Sequence, residues 1–370
     1  MLEQGKGLTT FGRRRFARYL LGSAMLASPI MSRPQTASKP GTRRNPSITD
    51  IEGLLVGHFT LRERPTGCTV ILAETAFTAG VDVRGGSPGT RETDLLRPEN
   101  TVEKVNAIVL SGGSAFGLDT ATGVSQYLEE LGRGYEVRGT KVPIVCGAIL
   151  LDLALGDAKI RPDARAGYQA AKAASRDPVP EGNVGAGAGC TVGKMFGLER
   201  AMKTGLGSWA MSRPNGLKIG AVVAVNCAGD VVDPLRGKIL AGARKDDRSG
   251  FLDALQQLRQ GYQPGSPFRH NTVIGVVATN AILTKTQCSK MAQMAQDALA
   301  RCINPSHTPW DGDTIFALAT GQWGRSAALD DVGIIGALAA DVLATAILRS
   351  IQQAESWGAY PAARDYPRQH

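Results

Sequence analysis

Residues 271–279 read Asn-Thr-Val-Ile-Gly-Val-Val-Ala-Thr and form a strongly strand-like segment in which β-branched residues dominate. A loop-rich stretch, 244–270, precedes them, with Arg, Asp, Gly, Gln and Pro near its ends and one short helical run, 251–258. A polar loop that leads abruptly into a core strand is where a processed chain terminus would lie. The sequence therefore predicts a buried strand that begins at Thr272.

Outward from this strand, the chain mixes strand and helix patterns throughout. Ser114 is the predicted N-cap of a helix that runs to about Leu131. Few connections have the form of regular βαβ crossovers, so the pattern favours an α/β (α+β) fold of stacked sheets between helix layers. Strand patterns cover 105–110, 217–225, 230–233 and 314–318, and the second and third of these flank a tight turn at 227–229. Helical patterns cover 163–174, 284–303 and 332–348.

The chain has 370 residues and a formal net charge of +9, but the charge is unevenly placed. Residues 1–44 hold nine Lys and Arg against a single Glu, so the remainder is close to neutral. A nearly neutral body has no basic stripe to follow a phosphate backbone, which excludes a nucleic-acid partner.

The N-terminal segment 1–44 is predicted to be an export signal and linker. Arg13-Arg14-Arg15-Phe16 precedes a short, mildly apolar stretch, as in a twin-arginine signal, and predicts a periplasmic protein. The alternative is a basic tail on a cytoplasmic protein. A second apolar stretch, 332–348, carries Asp341 in its middle, so we expect a buried helix there and no membrane span.

The six cysteines form no Cys-x-x-Cys pair, and the four histidines show no metal-ligand spacing. Most of the cysteines lie in apolar or small-residue runs. We therefore expect buried thiols and no metal or other cofactor.

A Thr hydroxyl is a poor nucleophile unless a base is nearby. If Thr272 became a chain terminus, its own α-amine, with an ordinary pKa of about 7.7–8.0, could accept the hydroxyl proton near neutral pH. Local sequence alone also allows Thr272 to be simply the first residue of a strand.

Several segments in order resemble one family. They are 47–50 (Ser-Ile-Thr-Asp), 56–58 (Val-Gly-His), 84–94, 110–118 (Leu-Ser-Gly-Gly-Ser-Ala-Phe-Gly-Leu) and 271–279. The chain resembles the L-aminopeptidase D-esterase/amidases, a family that includes the β-aminopeptidases and the 6-aminohexanoate-oligomer hydrolases. The resemblance spans about 48–351 and implies a four-layer αββα sandwich, shared with ornithine acetyltransferase.

This resemblance also implies self-cleavage between Asn271 and Thr272. A single hydrolase domain, 45–370, would split into 45–271 and 272–370, stay together, and assemble as a homo-oligomer of the cleaved pair. Thr272 would attack small peptides, aminoacyl amides or ω-amino acid oligomers through an acyl-enzyme.

The same resemblance assigns roles to four other residues. Asn226 would donate to the oxyanion, Lys194 would lie beside the nucleophile, and Asp311 and Asp313 would tune the Thr272 amine. Lys203 is a rival to Lys194. The glycine-rich stretch 185–194 lacks the spacing of a phosphate-binding loop, because Met195 follows Lys194.

Two departures qualify the resemblance. Leu151 stands where the nylon-oligomer hydrolases have Tyr, so a hydrogen bond available there is expected to be missing. Ser114 does not fit a nucleophile elbow, because Phe116 stands where that motif needs Gly. The loop of Gly112, Gly113 and Ser114 is instead expected to line the acyl site with backbone N–H groups.

Two alternatives from other functional classes stay open at this point. One is an uncleaved small-ligand-binding protein that uses the glycine loops, and the other is an acyltransferase on the same scaffold. The sequence does not choose among α-, β-, D- or ω-amino acid substrates.

Overall fold

The computed structural model describes residues 45–263 and 271–366; the predicted export signal, 1–44, and His270 lie outside them. The strands are β1 Leu54–Thr60, β2 Gly67–Val83, β3 Thr90–Arg91, β4 Val105–Ser111, β5 Tyr135–Val137, β6 Thr140–Val142, β7 Val145–Ile149, β8 Thr191–Val192, β9 Met202–Lys203, β10 Leu206–Ser212, β11 Lys218–Asn226, β12 Asp230–Asp233, β13 Lys238–Ala241, β14 Thr272–Thr279, β15 Ile303–Asn304 and β16 Thr314–Ala319. The helices are α1 Thr120–Glu130, α2 Ala164–Lys172, α3 Ala254–Arg259, α4 Lys285–Ala295, α5 Asp297–Cys302 and α6 Leu329–Gln352.

The long strand β2 belongs to two layers of sheet. Its first part pairs with β1 and β4, and its last residues, Thr78 to Val83, pair with β16. A register shift between Leu72 and Phe77 separates the two parts. The strand order β10-β11-β14-β16-β2-β4-β7-β3 therefore comprises two sheets that share one strand.

Three separate hydrophobic clusters lie between four layers. One joins helices α1 and α2 to the β1-β2-β4 side, one lies between the two sheets, and one joins α4, α5 and α6 to the β11-β14-β16 side. This arrangement is the predicted αββα sandwich, and it accounts for the mixture of strand and helix patterns in the sequence.

Strand β14 shows why its sequence is apolar almost throughout. Ile274 and Val276 pack in the cluster between the sheets, whereas Val273 and Val277 pack against the helices. Successive side chains point to opposite faces of a strand, so a strand between two cores must be apolar on both. β14 is also central in its sheet, with antiparallel β11 on one side and parallel β16 on the other.

Several local predictions need correction. The helix predicted over 284–303 is two helices, α4 and α5, which meet at the buried Gln296. Ser114 does not cap α1: it begins a 3-10 helix with φ 57°, and Asp119 precedes α1. The two strands predicted around the turn at 227–229 are present as β11 and β12, but they belong to different sheets, since β12 pairs with β13 and β15.

Helix α6 is long and apolar enough to cross a membrane by length and composition, but 56% of its most apolar window is buried inside the protein. Its buried residues pack against β10 and β11. This agrees with the buried helix that we expected because Asp341 places a charge in the middle of the apolar stretch. All six cysteines are free and buried, which confirms the prediction of buried thiols.

A buried ion pair joins Arg64 to Asp152, with neither side chain exposed and 2.8 Å between Nη2 and Oδ1. Arg64 also donates to the backbone carbonyls of Leu155, at 2.5 Å, and Ile160, at 2.7 Å. The hydroxyl of Thr66 donates to the second carboxylate oxygen of Asp152 at 2.6 Å. The pair therefore fixes the backbone that follows β7.

We expect Arg64→Met to destabilise the fold by about 3–5 kcal/mol, because it leaves the Asp152 carboxylate buried without its cation. The exposed pair Arg97–Asp94 supplies a matched control, whose side chains are 64% and 86% exposed. Arg97→Met should change the free energy of unfolding by no more than about 1 kcal/mol. Urea unfolding followed by circular dichroism measures both, and equal effects would contradict this account.

Candidate functional site

The predicted site residues lie together at one edge of the sheet that contains β10, β11, β14 and β16. Asn226, the last residue of β11, pairs directly with Thr272, the first residue of β14. Thr314, the first residue of β16, lies beside Ile274 in parallel register. Because β11 runs antiparallel to β14 and β16, the end of one strand and the starts of two others lie at the same edge.

The peptide bond between Asn271 and Thr272 lies inside the protein, and these residues are 2% and 4% exposed. The Thr272 hydroxyl donates to the carbonyl oxygen of Asn271 at 2.5 Å. The backbone N–H of Gly312 donates to the same oxygen at 2.8 Å. The Thr272 hydroxyl and the Gly312 N–H thus meet at one amide carbonyl oxygen.

Asp311 is a buried carboxylate whose pKa is raised toward neutral pH. Its Oδ2 accepts from the backbone N–H of Thr308 at 2.8 Å and from the Thr308 hydroxyl at 2.5 Å. Burial, reinforced by the neighbouring Asp313, raises the pKa of Asp311 to about 6. A carboxyl group with such a pKa can both accept and return a proton at neutral pH.

Asp313 is held by more donors than Asp311. Its Oδ1 accepts from the Val273 backbone N–H at 2.8 Å, and its Oδ2 accepts from the His307 backbone N–H at 3.0 Å. The His307 ring nitrogen Nδ1 lies 2.9 Å from Oδ2. Asp313 therefore ties the start of β14 to the segment before β16 and fixes where Thr272 sits.

Lys194 and Asn226 form a buried polar pair. The Lys194 ammonium donates to the Asn226 side-chain oxygen at 2.7 Å and to its backbone oxygen at 3.0 Å. Burial lowers the pKa of Lys194 to about 8, although Asp311 and Asp152 favour its charged form. Lys194 is therefore bonded to the residue that pairs with Thr272 across the two strands.

The Asn226 amide is oriented by a backbone group of Leu151. Its Nδ2 donates to the Leu151 carbonyl at 2.8 Å, while its Oδ1 also accepts from the Thr191 backbone N–H at 3.1 Å. Leu151 provides no side-chain donor in place of the Tyr of the nylon-oligomer hydrolases. Its backbone carbonyl nevertheless fixes the orientation of the Asn226 amide.

The loop of Gly112, Gly113 and Ser114 differs from its predicted role. The three backbone N–H groups donate to the Gly67 carbonyl, the Asp152 carboxylate and the Leu150 carbonyl, at 2.9, 2.9 and 3.0 Å. They are paired inside the protein and so do not line an acyl site as donors. The loop instead supports residues 150–152, and through Leu151 it supports the Asn226 amide.

Lys203, the rival to Lys194, is equally buried but has other partners. It donates to the backbone carbonyls of Gly187, at 3.4 Å, and Thr204. Burial lowers the pKa of Lys203 to about 8 as well. The two lysines therefore differ in what they contact: Lys194 donates to Asn226, whereas Lys203 donates to backbone carbonyls.

Sequence reasoning missed His307, Thr308 and Gly312 as members of the site. Thr308 and Asp311 have the spacing of a capping box, with Pro309 after the Thr, and this pattern could have revealed their hydrogen bond. His307 has φ 58°, a left-handed conformation that the local sequence does not predict. Gly312 contributes a backbone N–H, for which no side-chain signal exists.

The chemistry that this arrangement offers comes from protein groups. It comprises a hydroxyl nucleophile, a carboxylate with raised proton affinity, a buried ammonium and amide N–H donors. Over 45–263 and 271–366, no group of three His, Cys, Asp or Glu could hold a metal ion.

The sequence profile of peptidase family S58 matches residues 46–362. An uncharacterized aminopeptidase of Mycobacterium leprae is 42% identical over 341 residues, which cover 85% of this chain and 92% of that protein. A 6-aminohexanoate-oligomer endohydrolase of Kocuria sp. is 28% identical over 356 residues, which cover 89% and 96% of the two chains.

Solved structures show the same fold. A β-aminopeptidase of Burkholderia sp. superimposes with a TM-score of 0.65 at 23% identity, over 86% of this chain and 90% of that one. The L-aminopeptidase D-Ala-esterase/amidase of Ochrobactrum anthropi, described as a variant of the Ntn hydrolase fold, gives 0.64 at 20% identity, over 86% and 89%. The similarity confirms the predicted architecture.

Proposed function

Since this chain belongs to peptidase family S58 and is a hydrolase of amide bonds, we propose that it cuts its own backbone between Asn271 and Thr272 and then uses Thr272 as its nucleophile. The observation that carries the proposal is the 2.5 Å hydrogen bond between the Thr272 hydroxyl and the Asn271 carbonyl oxygen, within a buried site. The hydrogen bond holds the hydroxyl beside the amide that it would attack, which reduces the entropy cost of bringing the two groups together.

Maturation begins when the Thr272 hydroxyl oxygen attacks the Asn271 carbonyl carbon and forms an ester. As the ester forms, the bond between the carbonyl carbon and the Thr272 nitrogen breaks and frees the α-amine, and water then hydrolyses the ester and separates the two chains. In turnover this amine accepts the hydroxyl proton while the oxygen attacks a substrate amide, and an acyl-enzyme forms and is hydrolysed. Asp311 and Asp313 would hold and tune the amine, because they flank Gly312, where an added Cβ would lie 2.8 Å from the Thr272 hydroxyl oxygen.

Asn226 and Lys194 would stabilise the negative charge on the substrate oxygen. An amide NH₂ carries two N–H groups, and the one that bonds Leu151 leaves the second for an oxyanion. Lys194 adds a positive charge in a buried setting, where electrostatic stabilisation is stronger than in water. The substrates are amide bonds of small peptides, aminoacyl amides or ω-amino acid oligomers.

The two products of self-cleavage should stay together. Thr272 is the first residue of β14, which lies between β11 and β16 and contributes to two of the three hydrophobic clusters. Withdrawing this strand would expose both cores, so the segments 45–271 and 272–370 would form one globule. We propose that this pair is the unit of a homo-oligomer.

Self-cleavage predicts two polypeptides in the purified enzyme. Denaturing electrophoresis should resolve them, and N-terminal sequencing of the smaller one should begin at Thr272. Intact mass should equal that of the chain from Thr272 to its end. Active enzyme with a continuous backbone through 271 and 272 would refute the proposal. An inactive protein with the same continuous backbone would favour the uncleaved small-ligand-binding protein.

A further inference from the structure

We propose that Gly312 supplies, through its backbone N–H, the oxyanion donor for self-cleavage, and that the Asn226 amide takes no part in that step. The proposal rests on the function proposed above. It assigns self-cleavage and the hydrolysis of substrates to two different hydrogen-bond donors. Gly312 would serve maturation, whereas Asn226 would serve the hydrolysis of substrates.

The scissile carbonyl already points at Gly312. The oxygen of Asn271 accepts the Gly312 N–H at 2.8 Å, and Asn271 and Asp311 form a parallel bridge. This oxygen is the atom that gains negative charge when the Thr272 hydroxyl attacks. A donor already within hydrogen-bond distance of the developing charge needs no reorganisation during the reaction.

Asn226 lies on the other side of Thr272. Strand β14 has β11, which ends at Asn226, on one flank and β16, which follows Gly312, on the opposite flank. The Asn226 side chain is turned toward Leu151, Thr191 and Lys194, as its hydrogen bonds show. The carbonyl of Asn271 is thus directed away from the strand that carries Asn226.

The absence of a side chain at position 312 permits this close approach. A Cβ added to Gly312 would lie 2.8 Å from the Thr272 hydroxyl oxygen and 2.9 Å from the Ser87 carbonyl oxygen. The neighbouring residues are also held, because the Asp311 carbonyl accepts the Ser87 N–H at 2.8 Å and Asp313 binds Val273 and His307. The position of the Gly312 N–H is therefore fixed by the hydrogen bonds of the residues before and after it.

The reaction balances with groups of this site and water. A bond forms between the Thr272 hydroxyl oxygen and the Asn271 carbonyl carbon, and the carbonyl oxygen becomes negative at the Gly312 N–H. The carbon–nitrogen bond then breaks, and the hydroxyl proton ends on the released Thr272 nitrogen. Water hydrolyses the ester to an Asn271 carboxylate and a free Thr272 hydroxyl.

A pair of variants separates the N–H from the crowding. Gly312→Ala adds a Cβ and keeps the N–H, whereas Gly312→Pro adds a Cβ and removes it. We expect the Pro precursor to cleave on the order of 100-fold more slowly than the Ala precursor, as for loss of one oxyanion donor in other hydrolases. The rates come from electrophoresis of precursors synthesised in a cell-free system. Equal rates would overturn the proposal.

A second pair avoids any dependence on how Pro fits the backbone. Asn226→Ala removes the amide, and Asn226→Asp removes its N–H groups while it keeps acceptors for Lys194. Both should self-cleave at a rate close to that of wild type, yet hydrolyse aminoacyl amides on the order of 100-fold more slowly. If self-cleavage slows as much as hydrolysis, Asn226 serves both steps and the inference fails.

Failure of the inference is distinguishable from failure of the proposed function. Thr272→Ala, run in the same cell-free system, reports on the nucleophile alone. If that variant stays intact while Asn226→Ala cleaves slowly, the proposed function holds and the division of donors is wrong. If Thr272→Ala is split at the same bond, the proposed function itself falls.

Discussion

Thr272→Ala is expected to yield a single unbroken chain with no hydrolysis of aminoacyl amides. The substitution removes the hydroxyl that bonds the Asn271 carbonyl oxygen and that we propose as the nucleophile, so neither the proposed maturation nor acyl-enzyme formation could proceed. The Cγ methyl and hydroxyl of Thr272 are small, and the residue is the first of its strand. The fold should survive, which circular dichroism and thermal melting can verify.

Two further variants make this test specific. Thr272→Ser keeps the hydroxyl, so it should still produce two polypeptides and an active enzyme. Thr279, at the other end of β14, is equally buried, and its hydroxyl bonds the Lys218 carbonyl at 2.9 Å. Thr279→Ala should cost about 1 kcal/mol of stability and leave cleavage intact. Two fragments from Thr272→Ala, or none from Thr279→Ala, would contradict the assignment.

The architecture was largely predictable because its strands carry strong local signals. The run 271–279 became β14 with the predicted bounds, and 105–110 became most of β4. The sequence does not show that β2 serves two sheets, since a strand that changes partners has the same alternation as one that does not. The shift between Leu72 and Phe77 is a property of pairing, which only the folded chain defines.

The site was predictable where side chains carry the chemistry. Thr272, Asn226, Lys194, Asp311 and Asp313 are brought to one edge of the sheet, although their catalytic roles stay predictions. Backbone groups were not predictable: the Leu151 carbonyl orients the Asn226 amide, and the Gly312 N–H donates to the Asn271 carbonyl. Any residue type has these groups, so only the path of the chain reveals their use.

The same limit explains the glycine loop at 112–114. Its composition suggests free N–H donors, as in many ligand-binding loops. In the folded chain a buried carboxylate, Asp152, accepts one of them, and a Cβ at Gly112 would lie 2.3 Å from that carboxylate. The glycine at 112 is thus needed for packing against an ion pair whose members, Arg64 and Asp152, are far apart in sequence.

Lys194→Met is expected to lower the rate of hydrolysis by roughly 100- to 1,000-fold, the range measured for loss of one oxyanion-stabilising group. The variant keeps an unbranched apolar stem but removes the ammonium that donates to Asn226. Lys203→Met is the matched control, because Lys203 is also buried, has a pKa lowered to about 8, and donates to the backbone carbonyls of Gly187 and Thr204. It should cost stability and leave the rate per cleaved enzyme near wild type.

The pH dependence supplies an independent measurement of the same assignment. Burial lowers the pKa of Lys194 to about 8, so the ammonium present at neutral pH is lost as the pH rises through that value. If the ammonium stabilises the oxyanion, the rate at saturating substrate should fall above pH of about 8 in wild type and in Lys203→Met. The remaining activity of Lys194→Met should lack this alkaline decline. A decline that disappears instead in Lys203→Met would assign the cation to the other lysine, through the carbonyls of Gly187 and Thr204 that it contacts.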